Sequence, residues 1–263
     1  MIRSPRAMML FLAAVALSLL VFALNGVLGV VAPSSTWGIW YGVFATGLLL
    51  AAMAYAGRRR RMNIRKLGPS RTYLLVHIYG GTLFLLLQLM HSGFRLPDGL
   101  LTWSLWLLSA WVVLTGVLGV VMQKWLAVML NQLRTEVQLS RIPALVAEIQ
   151  GRAEEVCDEA GTVVRDLFTA ELQPALVHPT FSWRSFGGFV DDKANRFDFV
   201  RTLVPSERHP QLDELRGLVR TKAEIDVHYA LQTVLRRWLW LHIPAAVLLC
   251  GLIVLHIFVV IYY

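Results

Sequence analysis

Four of the seven histidines lie in stretches of sequence that are otherwise apolar. Fourteen positions separate His77 from His91, and fourteen separate His242 from His256. An ionisable side chain in an apolar segment is energetically costly and usually has a function there. Because imidazole is the commonest metal ligand among the side chains, the four residues predict metal binding.

The chain around these histidines has the composition of a polytopic membrane protein. Of its 263 residues, 56% are hydrophobic and 16% are charged, which is more apolar surface than one water-soluble core could bury. About 20 helical residues cross a hydrocarbon core of about 30 Å. Five stretches are long enough, namely 7–31, 37–57, 72–94, 101–123 and 238–262. We expect the first to be a retained helix and not a cleaved signal peptide.

Positive charges predict the orientation of these helices. Arg58, Arg59, Arg60 and Arg61 form a basic run between the second and third stretches, and such loops stay on the cytoplasmic side. The third and fifth helices would then run outward, with the N-terminus in the cytoplasm and the C-terminus outside. We expect a multi-pass protein of a bacterial cytoplasmic membrane, with the lipid bilayer as its immediate partner.

Helix geometry turns the histidine spacing into a prediction of position. At about 100° and 1.5 Å per residue, fourteen residues return to within about 40° of the same face and advance about 21 Å along the axis. Because both helices run outward, His77 would lie level with His242 near the inner surface of the membrane. His91 would lie level with His256 near the outer surface.

Two facing imidazoles at one level suit haem iron, whose axial ligands come from opposite sides of the porphyrin. Zinc would need three or four ligands that converge on one point. The two cysteines, Cys157 and Cys250, form neither a disulfide framework nor a covalent CxxCH haem site. The expected cofactors are therefore two haems b, one held by His77 with His242 and one by His91 with His256. Hydrogen-bonded histidines within a helix bundle are the alternative.

Other residues are candidates for the haem surroundings. Gly80 and Gly81 follow His77 by one turn and would let a flat macrocycle approach the backbone, although small residues also serve ordinary helix packing in membranes. The charges that could neutralise haem propionates are Arg71, Arg236 and Arg237 near the inner level and Arg95 near the outer level. Anchoring by the positive-inside rule is the alternative role for the inner arginines.

Residues 131–237 form the one large polar segment. Sixteen of the seventeen acidic residues lie there with fourteen of the twenty-five basic ones, so the segment is nearly neutral. The net charge of +8 therefore reflects membrane topology, and we expect no nucleic-acid partner. Apolar residues recur at helical spacing from Ile142 to Leu167. Pro210 suits the first turn of a helix that could continue into the fifth span.

These patterns predict an all-α fold, a polytopic membrane bundle of five transmembrane helices with a mostly helical cytoplasmic insertion. Helices 1 to 4 would occupy residues 1–130, the insertion residues 131–237, and helix 5 residues 238–263.

The double His-x13-His pattern, from His77 to His91 and from His242 to His256, resembles the haem-bearing helices of cytochrome b from quinol-oxidising bc complexes. Its placement on the third and fifth spans is more similar to the transmembrane domain of ferric reductases and NADPH oxidases. The resemblance covers about residues 7–130 and 238–262, and it implies a dihaem membrane cytochrome. No FAD or NADPH fingerprint occurs, nor does the Pro-Glu-Trp-Tyr stretch associated with quinol oxidation.

We therefore expect an electron-transfer subunit of a respiratory oxidoreductase complex and no catalytic residues. It would link a quinone or a cytoplasmic redox partner to an outer-side partner, and the insertion would dock another redox subunit. Two alternatives remain open. One is a structural membrane anchor of a redox complex in which haem serves stability, and the other is a self-contained quinol-oxidising enzyme.

Overall fold

The computed structural model describes residues 4–29, 31–60, 68–130, 138–169, 173–176, 179, 181 and 194–262. Within these ranges the chain is helical and contains no strand, which confirms the predicted all-α fold. The helices are α1 (Pro5–Leu28), α2 (Thr36–Arg60), α3 (Ser70–His91), α4 (Leu100–Leu130), α5 (Ile142–Ala160), α6 (Thr162–Leu167), α7 (Gln173–Leu176), α8 (Ala194–Leu203) and α9 (His209–Tyr262).

Five helices of the described chain are long and apolar enough to cross a membrane, as predicted: α1, α2, α3, α4 and α9. The last of them starts well before its apolar part, because α9 is helical without interruption from His209 to Tyr262. Pro210 lies in its first turn, where the missing N–H would have no partner within the helix. The continuous helix expected from Pro210 into the fifth span is confirmed.

The chain divides into two compact units. The first unit comprises Met1–Val120 and Leu239–Tyr263, and the second comprises Val121–Trp238. The division in α4 falls ten residues before the boundary expected from the sequence at residue 130. The last turns of α4 thus belong to the second unit, since the helix continues to Leu130, beyond the apolar stretch that ends near residue 123.

Within the first unit, α2 and α3 have the most extensive backbone contact. The buried core of this unit consists of Val31, Tyr41, Ala45, Leu49, Phe84, Leu87, Met90, Leu105, Val112 and Leu249. Large apolar side chains on the outer faces, such as Leu17 and Val27 of α1, are exposed. A continuous apolar exterior of this kind is unfavourable in water and is typical of helices that face lipid.

A tight turn places His91 at the end of α3. Gly93 and Phe94, just beyond the helix, have φ values of 61° and 56°, in the left-handed region. The Phe94 ring packs edge-on against Phe22 with 5.2 Å between ring centroids. A β-carbon at Gly93 would clash with the carbonyl oxygen of Val31, so this turn requires glycine.

The second unit has an apolar core of its own. Buried residues recur at helical spacing along α5, as predicted, at Ile142, Val146, Ile149, Ala153 and Val156. They share one cluster with Leu212, Leu215 and Val219 of α9. Ion pairs lie on the surface of this unit, with Arg152 2.8 Å from Glu214 and Arg216 3.0 Å from Asp198.

Both cysteines are free, in agreement with the expected absence of a disulfide framework. Cys157 is buried in the second unit, and burial raises the pKa of its thiol to about 11. A thiol with so high a pKa is protonated near neutral pH and is a poor nucleophile. Cys250 belongs to the first unit, where its Sγ lies 2.9 Å from Sδ of Met53.

We expect Gly93→Ala to lower the thermal unfolding midpoint of the detergent-solubilised protein. A left-handed backbone costs a residue with a β-carbon about 1–2 kcal/mol, and the added methyl group would meet the Val31 carbonyl. Gly26→Ala is the matched control, since nothing lies within 4 Å of a β-carbon there. Size-exclusion chromatography after graded heating measures both variants, and a wild-type midpoint for Gly93→Ala would contradict the prediction.

Candidate functional site

The structure brings the four membrane histidines together in two pairs, all within the first unit. The ring centroids of His77 on α3 and His242 on α9 lie 6.1 Å apart, with their planes at 77°. The ring centroids of His91 and His256, on the same two helices, lie 6.3 Å apart with their planes at 84°. We refer to His77 with His242 as the first site and to His91 with His256 as the second site.

A dry apolar layer separates the two sites. Phe84 and Leu249 each lie seven positions after a histidine of the first site and seven before one of the second. Seven residues are close to two helical turns, so both side chains point to the same face as the histidines. They are 2% and 0% exposed and belong to one core cluster. The two sites are therefore about 21 Å apart along the helices, with packed side chains between them.

Helix α2 binds one histidine of each site through its backbone. Nδ1 of His77 lies 2.9 Å from the carbonyl oxygen of Ala52, and Nδ1 of His91 lies 2.8 Å from that of Gly38. A carbonyl can only accept, so both Nδ1 atoms carry the proton and both Nε2 atoms keep a lone pair. This is the tautomer that a metal-ligating histidine adopts when its second nitrogen is held by the protein.

The third polar contact to Nδ1 of a membrane histidine comes from α4. Nδ1 of His242 lies 2.9 Å from Oγ1 of Thr115, and both side chains are buried, at 8% and 5% exposure. The first site thus has a polar partner for each of its imidazoles. In addition, the ring of Tyr55 lies against His77 with 5.4 Å between centroids.

Small residues of α2 lie beside the histidines of both sites. Gly38 and Ala52, whose carbonyls bind the histidines, are themselves fourteen positions apart. A β-carbon at Gly42 would lie only 3.0 Å from Nδ1 of His91. The histidine pattern did not reveal these residues or Thr115, because every residue has a backbone carbonyl and threonine is common in membrane helices. The small residues Gly38, Gly42, Ala45 and Ala52, which share one face of α2, are the signal that could have revealed this helix.

The glycines predicted to face a macrocycle differ in their surroundings. A β-carbon at Gly80 would meet Leu48 at 3.8 Å, an ordinary packing distance, whereas nothing lies within 4 Å of one at Gly81. On α4, a β-carbon at Gly116 would lie 3.5 Å from Cε1 of His242. Gly81 is therefore the predicted glycine with open space beside it, and Gly80 packs against α2.

The four predicted arginines fall in both units. Arg71 lies in the first turn of α3, six residues before His77, and Arg95 lies four residues after His91. Arg236 and Arg237 belong to the second unit. All four side chains are exposed, and Cζ of Arg237 lies 5.6 Å from the ring centroid of Phe181. Arg71 and Arg95 are thus the two that share a unit with the histidines.

Each site has two imidazoles, and the distance between their ring centroids is compatible with one metal ion bound between them. A metal–imidazole bond is about 2.0–2.1 Å long and the ring centroid lies about 1.1 Å behind the nitrogen, so opposed imidazoles have centroids about 6.2–6.4 Å apart. The observed values are 6.1 and 6.3 Å. Within the described ranges no three His, Cys, Asp or Glu side chains converge to hold a metal ion by themselves.

No family model matches the chain, and neither a curated protein nor a solved structure matches it. The interpretation of the two sites therefore depends on their own geometry.

Gly42→Val is expected to disrupt the second site and leave the first intact. Its branched side chain would displace the His91 ring, because even a β-carbon would lie 3.0 Å from Nδ1. Gly47→Val on the same helix is the matched control, with nothing within 4 Å of a β-carbon at that position. Reduced-minus-oxidised spectra and cofactor content of the purified variants give the readout. An unaltered second site in Gly42→Val would show that the close approach of Gly42 to the His91 ring is unimportant.

Proposed function

We propose that the chain is a dihaem b-type cytochrome, with one haem held by His77 and His242 and another by His91 and His256. The observation that carries this proposal is the presence of two pairs of neighbouring imidazoles, at matched separations of 6.1 and 6.3 Å, on the same two helices. An ordinary edge-to-face ring contact has a similar centroid separation, about 4.5–7 Å. The hydrogen bonds from Nδ1 of His77 and His91 to carbonyl oxygens favour ligation, because they leave a lone pair on Nε2 of each ring.

When bound, two haems would supply one-electron ferric–ferrous couples at two depths of the membrane. The residues of the chain perform the remaining tasks. His77 and His91 are fixed in one tautomer by the carbonyl oxygens at Nδ1, and Nδ1 of His242 is held by the hydroxyl of Thr115. Phe84 and Leu249 exclude water from the layer between the sites. Gly81 leaves open space beside α3 at the level of the first site.

We further propose that the protein carries electrons across a bacterial cytoplasmic membrane, with the first site toward the cytoplasm. The separation of about 21 Å along helices that span the membrane supports transport from one surface toward the other. The basic run Arg58 to Arg61 favours a cytoplasmic connection between α2 and α3. Electrons would pass between a quinone or a cytoplasmic redox partner and a partner outside.

The second unit is proposed to dock the cytoplasmic redox subunit. It connects the fourth and fifth spans, folds around its own core and has charged side chains at its surface. A partner that binds such a surface would do so mainly through charge complementarity and would dissociate at high ionic strength.

Loss of one ligand is expected to remove one haem and spare the other. His91→Ala or His256→Ala should leave only the first site, and His77→Ala or His242→Ala only the second, because each change removes one of the two imidazoles that would hold the iron. The haem-to-protein ratio, from the pyridine haemochrome assay, should fall from two to one.

The control for these variants is His209→Gln in the second unit, where Nε2 of the wild-type ring lies 3.1 Å from the Val204 carbonyl oxygen. This variant should keep both haems. A purified wild type without b-type absorption, or a double variant of His91 and His256 that keeps two haems, would refute the proposal.

Transmembrane transfer can be measured in proteoliposomes that enclose ferricyanide, with a reduced quinol added outside. The wild-type protein should reduce the enclosed ferricyanide. With His91→Ala, the rate of ferricyanide reduction should fall to that of protein-free vesicles, since the second site has lost one of its two histidines. A wild-type protein that binds both haems but transfers no electrons would favour the structural anchor instead.

A further inference from the structure

We propose that Thr115 is a positioning residue that holds His242 in its iron-ligating tautomer and sets the reduction potential of the first site. This inference rests on the proposed function, and it assigns a role to a side chain on α4, a helix without a histidine.

The contact is buried and joins distant parts of the chain. Oγ1 of Thr115 and Nδ1 of His242 lie 2.9 Å apart, although 127 positions separate the two residues. Thr115 is 5% exposed and His242 is 8% exposed. A hydrogen bond in such a buried environment is electrostatically stronger than one in water.

Under the proposed ligation, the other contacts of the hydroxyl fit one direction of this hydrogen bond. Oγ1 of Thr115 lies 2.8 Å from the carbonyl oxygen of Trp111 and 3.1 Å from that of Val112. Either carbonyl can accept the single proton of the hydroxyl. Iron ligation by Nε2 of His242 would place the proton of the imidazole on Nδ1, so Oγ1 would accept from Nδ1 and donate its own proton to a carbonyl.

The contact also fixes the position of the ring. With Nδ1 held by α4, the His242 imidazole cannot rotate about its side-chain bonds without breaking the hydrogen bond. The backbone of the next residue on α4 lies close to the same ring, since a β-carbon at Gly116 would be 3.5 Å from Cε1. Thr115 thus orients the ring toward His77 and Gly116 leaves the space for it.

Donation from Nδ1 makes the imidazole a stronger electron donor at Nε2, which stabilises ferric over ferrous iron. The corresponding partners of His77 and His91 are backbone carbonyls, which no substitution removes. Thr115 is a side chain, so its bond can be removed. Without it, the ferrous form of the first site should become relatively more stable and the reduction potential should rise.

The test is a redox titration of the complete purified protein, followed by visible spectra and by electron paramagnetic resonance of the ferric haems. Thr115→Val removes the hydroxyl and keeps a branched side chain of similar size. We expect the reduction equilibrium of one haem to shift about tenfold toward the ferrous form, which is a rise of about 59 mV for a one-electron couple. The other haem should keep its wild-type potential, and the altered one should also change its ferric resonance.

Two further variants make the result specific. Thr115→Ser keeps the hydroxyl and should restore the wild-type potential and resonance. Thr82→Val on α3 is the matched control, because the Thr82 hydroxyl donates to the Ile78 carbonyl of its own helix at 2.6 Å. It should leave both potentials unchanged.

Thr115→Val could also lose the first haem outright. That result would support the inference if Thr115→Ser retains the haem, and would overturn it in favour of a packing role if Thr115→Ser loses the haem too. Wild-type potentials and resonances in Thr115→Val, or an equal shift in Thr82→Val, would also overturn it. These outcomes differ from a failure of the proposed function, in which the wild-type protein itself would bind no haem.

Discussion

A buried imidazole has two nitrogens to satisfy, and in the hydrocarbon of a membrane water can satisfy neither. The structure provides a partner for Nδ1 of His77, His91 and His242. The carbonyl partners of His77 and His91 leave a lone pair on Nε2 of each ring, and the neighbouring ring at each site is another histidine. A metal between the two rings of a site would use these lone pairs, which is the physical basis of the proposed ligation.

The hydrogen-bond partners of the imidazoles lie on helices that have no histidine. Two backbone carbonyls of α2, fourteen positions apart, accept from the histidines, so this helix repeats the spacing of the histidines and supports both sites at once. Gly38 and Ala52 have small side chains, which allow the close approach that a contact with the backbone needs. Helix α4 supports the first site alone, through the hydroxyl of Thr115. The two sites therefore have different surroundings, a difference that would give the two proposed haems different reduction potentials.

Other residues of the first unit keep the two sites apart. Phe84 and Leu249 fill the layer between them, and the turn at Gly93 ends α3 directly after His91. The second unit has a different chemistry, with a core of its own and ion pairs at its surface. A division between a dry unit that would hold cofactors and a charged unit that would bind a partner suits a subunit that passes electrons on to other proteins.

The sequence by itself determined the five membrane helices, the long α9 and the two histidine pairs. These features follow from local periodicity, because apolar length defines a span and fourteen residues return to one helical face. Only the tertiary structure decided which groups bind Nδ1 of His77, His91 and His242. Those groups are the carbonyls of Gly38 and Ala52 and the hydroxyl of Thr115. Every residue has a carbonyl and threonine is common in membrane helices, so their roles depend on which helices pack together.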